Sequence, residues 1–347
     1  MRKIAYLSMD VHARKSVLGE MDGNGKFLGN RPFITCENEI SKVLKAIKAK
    51  SKYLVLEAGP MSNWVAQVAS DYVTQVIICD PRENALIYKS SKKNDKVDTK
   101  KLCRLLRLGE FKAVYRPEND QRAIFKAAVQ HYLDLRDQLT ALKQKIKAIY
   151  RQWGVIDVFT DSVYSGNGRD AFLNRLPHPP ICLQLKRLYT LLDTTAAMKQ
   201  AAQKSMQALG RSYAEIKEFV KMPGMGPVGA HSFDAYIQTP HRFAKRSRLW
   251  KYCRLAVTDC TSDGKPLGYK RLDKSGINEL KALSYRAFLS AIKGDNEVKR
   301  FYLNSLQRTH DRKHARLNTQ RKILSVMLSI WKKGQPYRPE LFLDPSL

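Results

Sequence analysis

The sequence predicts an α/β domain, followed by a long helical region and a second, mainly helical domain. Three observations predict this order. Strand-like segments with a hairpin signal open the chain, helix and strand patterns then alternate, and from Ala128 apolar residues follow a heptad spacing. At the usual ~150 residues per domain, 347 residues predict about two globular domains. We place the boundaries at residues 1–115, 116–214 and 215–347.

The first domain is predicted to begin with three antiparallel strands. The segment Asp22-Gly23-Asn24-Gly25 is a strong hairpin signal between the second and third of them. The predicted elements are strands at 3–11, 15–21 and 26–33, a helix at 40–47, a strand at 53–56, a helix after Pro60, a strand at 76–79 and a helix at 95–106. Three meandering strands followed by alternating helix and strand are typical of a ribonuclease-H-like α/β fold, although other mixed sheets share this order.

The second region is predicted to be a coiled-coil helix that ends at Gly154. Its apolar residues alternate steps of four and three: Ala128, Tyr132, Leu135, Leu139, Leu142, Ile146, Ile149 and Trp153. We expect a loop over 154–180 and then a second helix from Leu185 past Leu209. The two helices could pair with each other or with another subunit.

The third region is predicted to be mostly helical. It opens with Met222-Pro223-Gly224-Met225-Gly226-Pro227, which resembles the hairpin of a helix-hairpin-helix motif. Gly224 and Gly226 would let backbone N–H groups approach a phosphate at a helix N-terminus, although a plain turn between helices uses the same residues. The region closes with a predicted basic helix that carries Arg308, Arg312, Lys313, Arg316, Arg321 and Lys322.

The net charge of +30 indicates a polyanionic partner. With 44% hydrophobic residues the chain is a folded protein and not a basic tail. We favour nucleic acid over an anionic membrane surface, because the basic residues run through the whole chain instead of forming one stripe. The sequence contains no apolar stretch long enough to span a membrane and no zinc-type cysteine spacing, and we expect a cytoplasmic protein.

Acidic residues are placed where the predicted sheet would open to a ligand. Asp10 ends the first strand and Glu57 ends the fourth, while Asp95 and Asp98 share one face of the following helix. Ionised carboxylates ~4 Å apart repel by about 4 kcal/mol at an effective dielectric near 20, so a cluster of them would require divalent cations. Two Mg²⁺ ions, or Mn²⁺ in their place, could then act on a phosphodiester.

Other interpretations of these acids stay open. Asp95 and Asp98 could be ordinary acids favoured at a helix N-terminus, and Glu57 could be an exposed loop carboxylate. Asp80 is either an accessory acid or a turn residue.

A serine turn, Cys260-Thr261-Ser262-Asp263-Gly264, is predicted among basic residues. Taken alone, Ser262 is a turn residue, because the sequence assigns it no proton-accepting partner. The surrounding residues that we predict to bind nucleic acid are Arg248, Lys251, Arg254, Lys265, Lys270 and Arg271.

Taken together, these motifs resemble those of the DEDD transposases of insertion sequences, the bridge-RNA-guided recombinases related to Piv-type DNA invertases. The resemblance covers nearly the whole chain. It rests on Met9-Asp10-Val11-His12, Leu56-Glu57-Ala58-Gly59, Asn94-Asp95-Lys96-Val97-Asp98-Thr99, Pro223-Gly224-Met225-Gly226-Pro227, Arg242-Phe243, Tyr252-Cys253-Arg254-Leu255, the serine turn and Lys274-Ser275-Gly276.

The resemblance implies a RuvC-like domain, a coiled-coil insertion for multimer assembly and a transposase domain. In such a protein Asp10, Glu57, Asp95 and Asp98 would hold the metal ions, and Ser262 would form a covalent link to DNA; Thr261 is the alternative nucleophile, since Asp263 separates Ser262 from Gly264. The implied partners are donor and target DNA, a guide (bridge) RNA encoded by the element, and further copies of the chain in a homodimer or homotetramer. The implied location is the bacterial cytoplasm, on the nucleoid when active.

Two other functions compete with this one. A junction nuclease would use the four acids and water, and would leave no protein-linked DNA. A packaging protein would need only the charge, and Asp10→Ala would then be silent.

Overall fold

The computed structural model describes residues 2–80, 95–117, 120–262 and 265–343. The chain divides into two compact units, Met1–Glu118 and Asn119–Leu347. Among the described helices, none is both long enough and apolar enough to cross a membrane.

The N-terminal unit is a five-stranded mixed sheet with helices on both faces. Its elements are β1 (Arg2–Asp10), β2 (Lys15–Asp22), β3 (Phe27–Ile34), α1 (Glu37–Lys45), β4 (Ala49–Glu57), α2 (Ser62–Ser70), β5 (Gln75–Cys79) and α3 (Asp95–Leu108). The strand order is β3-β2-β1-β4-β5. Strands β1 to β3 are antiparallel, whereas β4 and β5 run parallel to β1. The predicted mixed α/β sheet is confirmed, and it fits a ribonuclease-H-like or RuvC-like domain.

The central strands are apolar on both faces because helices cover both faces. On one face Leu7 and Leu54 pack in the same core as residues of α1 and α2. On the other face Val55 packs with Leu102 and Leu105 of α3. Parallel strands that are buried on both faces read as continuous apolar runs, which is why the short segment 53–56 predicted a buried strand.

The C-terminal unit contains helices and one β-hairpin. Its helices are α4 (Asp120–Gln152), α5 (Gly166–Leu173), α6 (Pro179–Gly210), α7 (Ala214–Val220), α8 (Pro227–Ile237), α9 (Arg246–Tyr252), α10 (Asn278–Ala291), α11 (Glu297–Thr309) and α12 (Arg312–Lys333), with 3-10 turns at Asp161–Tyr164, Pro240–Arg242 and Pro339–Phe342. Strands β6 (Val257–Ser262) and β7 (Lys265–Leu272) form the hairpin.

The long helices α4 and α6 pack against each other within the chain. Ile146 and Ile149 of the predicted seam are buried in one core with Leu185 and Leu192 of α6. At its other end α4 joins the main core of the C-terminal unit, where Phe125 is buried. The apolar residues of the heptad seam are therefore buried by packing within the chain along much of the helix.

The prediction of a loop over 154–180 is wrong in part, because this segment contains a 3-10 turn and α5. The Ser165 side chain caps α5 by accepting a hydrogen bond from the Gly168 amide at 3.2 Å. Val163 and Leu173 are buried against the α4–α6 pair. Two glycines in the first turn give α5 a low intrinsic propensity, so tertiary packing stabilises it and the local pattern does not reveal it.

The predicted single basic helix near the C-terminus is two helices. His310 has the left-handed conformation (φ 51°) that ends α11, and the Asp311 carboxylate caps α12 through the amides of Lys313 and His314. Beyond its first turns α12 enters the core, where Ile323 and Met327 are fully buried. The exposed basic residues of α12 therefore lie at its two ends, at Arg312 and Lys313 and at Lys333.

Candidate catalytic carboxylates and nucleic-acid interface

Asp10 and Glu57 occupy neighbouring positions at the carboxyl edge of the sheet. Met9 of β1 pairs with Leu56 of β4, so Asp10 and Glu57 are the next residues on adjacent parallel strands. Side chains alternate along a strand, so Asp10 shares the face of Ser8 and Glu57 shares the face of Val55. Both of those residues contact α3. The two carboxylates therefore lie side by side on the face that α3 covers.

A buried polar network fixes the first turns of α3 above these strands. The Ser8 hydroxyl donates to the Thr99 carbonyl at 2.7 Å, and the Thr99 hydroxyl donates to Asn30 Oδ1 at 2.8 Å. The Cys103 thiol donates to Ser8 Oγ at 3.3 Å, and burial raises the pKa of Cys103 to about 12, so the thiol stays neutral. Asp98 directly precedes Thr99 and is half-buried, whereas the Asp95 side chain lies outside the described residues.

Gly19 of β2 is the residue that lets α3 approach the sheet. A Cβ at this position would lie 2.8 Å from both Ser8 Oγ and Thr99 Cβ. Gly19→Ala is therefore expected to reduce the free energy of unfolding by roughly 1–3 kcal/mol, since overpacking forces the helix outward. Denaturant unfolding measures the loss. The control is Gly59→Ala, where the added methyl meets no atom within 4 Å; equal losses in both variants would contradict this role for Gly19.

His12 is a further residue at this edge, and sequence analysis gave it no role. Its Nε2 lies 3.3 Å from Asp10 Oδ2. The Thr35 hydroxyl donates to the His12 carbonyl at 2.7 Å, and the His12 amide donates to Ser16 Oγ at 3.3 Å. The loop after β1 thus holds the imidazole against the predicted catalytic carboxylate. Its position two residues after a strand-ending acid was the only sequence signal.

The donor chemistry at this edge fits a hard divalent cation. Among the described side chains, no group of three or more His, Cys, Asp or Glu residues is arranged to hold a metal ion. Asp10, Glu57 and Asp98 are all described, so these three predicted ligands do not form such a group in this structure, and the Asp95 side chain lies outside the described residues. Asp10 and Glu57 supply carboxylate oxygens, the ligands that Mg²⁺ and Mn²⁺ prefer. A complete ligand set would need carboxylates from α3 as well.

Asp80 lies at the same edge of the sheet. It directly follows Cys79, which pairs with Glu57 in the register of β4 and β5. Its amide donates to the Lys112 carbonyl at 3.1 Å, so the backbone here is held by the segment after α3. This position keeps Asp80 as a candidate accessory acid.

The two glycines of the predicted phosphate-binding turn differ in their surroundings. The turn joins α7 to α8, and Gly224 has a φ of +81° with its Cα against α10. A Cβ at Gly224 would lie 2.1 Å from the Ala287 carbonyl oxygen. Gly226 is exposed at the beginning of α8, and nothing lies within 4 Å of a Cβ placed there. Gly224 therefore has a packing role, and the binding of phosphate by either glycine stays a prediction.

Gly224→Ala is expected to destabilise the C-terminal unit by about 3 kcal/mol or more, because it combines a left-handed backbone with a clash against backbone atoms. Thermal unfolding measures this loss. Gly226→Ala is the matched control, and we expect it to cost about 1 kcal/mol or less. If the two variants unfold at the same temperature, the close approach of Gly224 to α10 does not matter for stability.

The predicted basic residues of this unit divide between exposed positions and a structural one. Arg248 and Lys251 are exposed on α9, and Lys270 and Arg271 are exposed on β7. Lys270 Nζ lies 3.3 Å from the Asp259 carboxylate. The Lys265 side chain lies outside the described residues.

Arg254 helps to hold the Lys274-Ser275-Gly276 loop. Its Nε donates to the Gly276 carbonyl at 2.9 Å, and its φ is +55°. A Cβ at Gly276 would lie 2.3 Å from the Tyr252 carbonyl oxygen, so the loop sits directly on the end of α9. Hydrogen bonds from Ser275, with a smaller contribution from the charges of Lys251 and Arg254, lower the pKa of Asp273. The motif residues around 252–254 and 274–276 therefore form one structural element.

Ser262 ends β6, where sequence analysis placed it in a loop. Its backbone pairs with Lys265, and Thr261 pairs with Pro266. Both candidate nucleophiles are thus next to the tip of the hairpin, whereas their side chains lie outside the described residues. The strand was missed because Val257–Ser262 is short and mostly polar.

A mixed sheet that fits the ribonuclease-H-like type, with acids at its carboxyl edge and on a strongly basic chain, is typical of enzymes that act on nucleic acids. Residues 7–153 match the model of DEDD transposases of the IS110 type. Residues 217–303 match the model described as transposase IS116/IS110/IS902 family. The two matches together span about two thirds of the chain, and the protein belongs to this family of insertion-sequence transposases. Among curated proteins none matches the chain.

Proposed function

We propose that this transposase cuts and rejoins DNA through a covalent serine–DNA intermediate, guided by an RNA that its element encodes. Ser262 is the proposed nucleophile. Asp10, Glu57, Asp95 and Asp98 are the proposed ligands of Mg²⁺ or Mn²⁺. The observation that carries the proposal is the adjacency of Asp10 and Glu57 on parallel strands, beneath the helix that bears Asp98.

The proposed chemistry exchanges one phosphodiester for another. The Ser262 oxygen forms a bond to a DNA phosphorus, the bond from that phosphorus to a sugar oxygen breaks, and the serine proton ends on the leaving sugar hydroxyl. A hydroxyl of the second DNA strand then attacks the phosphoserine and restores the Ser262 hydroxyl. Divalent cations on the carboxylates would stabilise the negative charge that develops on the phosphate. The role of this chain's acids is to hold those cations at the end of the sheet.

The charge of the chain supports nucleic acids as partners. A net charge of +30 attracts donor DNA, target DNA and RNA alike through their phosphates. Arg248, Lys251 and Arg271 are exposed and available for such contacts. The exposed start of α8 at Gly226 is the proposed helix-hairpin-helix contact to a phosphate. Contacts to phosphates carry no sequence information, which fits a system in which RNA pairing selects the DNA.

Assembly into a homodimer or homotetramer is also proposed. The outer face of α6 exposes large apolar residues, among them Leu191 and Met198, which are seven residues apart. That spacing places both side chains on one stripe of the helix, suited to a second helix. Light scattering is expected to give a mass of at least two chains at micromolar concentration. A strict monomer, with and without nucleic acid, would refute the assembly.

Reconstitution tests the proposed guidance by RNA. The protein is mixed with Mg²⁺, donor and target DNA, and the non-coding RNA transcribed from the element. We expect strand joining only when the RNA is present, and joining at a new target when the pairing loop of the RNA is changed to match it. Joining that is equally efficient without RNA would refute guidance. Mg²⁺-dependent cleavage without any protein-linked DNA would instead support the junction nuclease.

A further inference from the structure

A basic cavity of about 660 Å³ lies between β7, α10 and the beginning of α12. Its size is in the range of small-molecule and nucleotide pockets. Val257, Leu272, Ala282 and Leu317 contribute the apolar part of its lining. The cations of its lining are Lys270 and Arg271 on β7, Lys281 on α10, and Lys313 and Arg316 on α12. None of the described lining residues is acidic.

Tyr285 is the aromatic residue of this cavity. It is 38% exposed, whereas its neighbour Ser284 on α10 is buried. The Arg316 guanidinium carbon lies 5.3 Å from its ring centroid. Phe288, which is buried, stacks near it with an interplanar angle of 23°. These neighbours hold the ring in place, and its exposed part lines the cavity.

The helices that carry the cavity are fixed to each other. Gln320 of α12 donates from Nε2 to Ser284 Oγ at 3.0 Å, and the Ser284 hydroxyl donates to the Lys281 carbonyl at 2.8 Å. Both Ser284 and Gln320 are buried. The spacing between Tyr285 on α10 and Arg316 on α12 is therefore set by the core and not by mobile side chains.

The nearby acids leave several of the cations available. The Asp259 carboxylate lies 3.3 Å from Lys270 Nζ. Asp311 accepts from two backbone amides at the start of α12 and so caps that helix itself. The capped helix end is thus not the source of the positive charge. Side chains on three elements supply the charge instead: Arg271, Lys281, Lys313 and Arg316.

We propose that this cavity binds one unpaired nucleotide of a single strand of nucleic acid. The base would stack on Tyr285, and the flanking phosphates would contact Lys281, Lys313 and Arg316. A base held within a duplex cannot expose its face to the ring, so the site selects unpaired nucleotides. This inference rests only on the transposase acting on nucleic acid. It is independent of the serine intermediate and of the carboxylate metal site.

Photo-crosslinking gives the most local test, because a chain of this charge binds nucleic acid at many places. The full-length protein is irradiated with a single-stranded ten-residue DNA that contains 5-iodouracil, and in parallel with the matching RNA. We expect a crosslinked peptide that contains Tyr285, and its absence with both probes would overturn the proposal. The probe that gives the higher yield identifies DNA or RNA as the source of the nucleotide.

Affinity measurements separate stacking from charge. Tyr285→Leu is expected to weaken binding of the better single-stranded probe about tenfold, while Tyr285→Phe retains it, since the π-face is what binds. Arg316→Gln is expected to reduce the slope of log affinity against log salt concentration by about one, which corresponds to the loss of one phosphate contact. Lys293→Gln is the control for the loss of one positive charge, because Lys293 is exposed and does not line the cavity.

The duplex form of the same DNA is the reference for every variant. Its affinity is expected to be unchanged by Tyr285→Leu, because paired bases do not stack on the ring. An equal loss for duplex and single strand, or unchanged binding of single strands by Tyr285→Leu, would overturn the proposal. Neither result bears on the proposed chemistry at Ser262. Failure of the nucleotide site can therefore be distinguished from failure of the serine mechanism.

Discussion

Ser262→Ala is expected to abolish the protein–DNA adduct and to reduce strand joining by at least about three orders of magnitude. The reason is that loss of a nucleophilic hydroxyl removes the covalent step itself and not merely an interaction that assists it. The measurement is denaturing electrophoresis of the protein with end-labelled donor DNA, in which a covalent adduct migrates with the protein. Binding of RNA and DNA is expected to stay within about twofold of the unchanged chain, since one neutral hydroxyl contributes little to a charge-driven affinity.

Thr261→Ala is the matched control for this experiment. Both residues lie at the end of β6, and each of the two substitutions removes one hydroxyl from the same strand. If Thr261→Ala eliminates the adduct and Ser262→Ala does not, the nucleophile is Thr261. If the adduct persists in both variants, the serine mechanism is wrong for this chain.

Asp10→Asn and Glu57→Gln are each expected to reduce DNA cleavage roughly 10³-fold or more, because each removes a charge that holds the cations while preserving shape. They are also expected to abolish stabilisation by Mg²⁺. A cation that binds only the folded protein adds about 2.7 kcal/mol at one hundred times its dissociation constant. Thermal unfolding with and without Mg²⁺ measures that difference. Without Mg²⁺ the variants should be no less stable, since the neighbouring carboxylates of Asp10 and Glu57 repel each other.

Asp71→Asn supplies the control for charge. Asp71 is exposed at the end of α2, in the same unit, and lies before β5 rather than after it. This variant is expected to keep the activity and the Mg²⁺-dependent rise in unfolding temperature. Full activity of Glu57→Gln, or the same loss in Asp71→Asn, would contradict a metal site at the strand ends.

Much of the N-terminal unit could be predicted because its signals are local. The Asp22-Gly23-Asn24-Gly25 turn fixes a hairpin by itself: the Asp22 carboxylate accepts from the amides of Asn24 and Lys26, and Gly25 has a φ of +91°. The heptad seam likewise predicted the long helix α4. Acids that end apolar strands indicated Asp10 and Glu57, and the register places them side by side.

The features that could not be predicted depend on contacts between distant parts of the chain. Gly19 is required for packing because Thr99 lies against it. Gly224 is required for packing because the backbone of Ala287 lies against it. Neither partner is visible in a local pattern. Arg254 was predicted to bind nucleic acid from its charge, yet its contact with Gly276 across 22 residues gives it a structural role. Tyr285 was not singled out, because an aromatic residue on a helix usually belongs to the core.

The most direct measurement is the anomalous diffraction of Mn²⁺ in crystals of the full-length protein with donor DNA. We expect a peak within about 2.5 Å of carboxylate oxygens from Asp10, Glu57 and Asp98, at the edge where β1 and β4 end. Manganese bound elsewhere, with these three side chains turned away from one another and from the DNA, would contradict it.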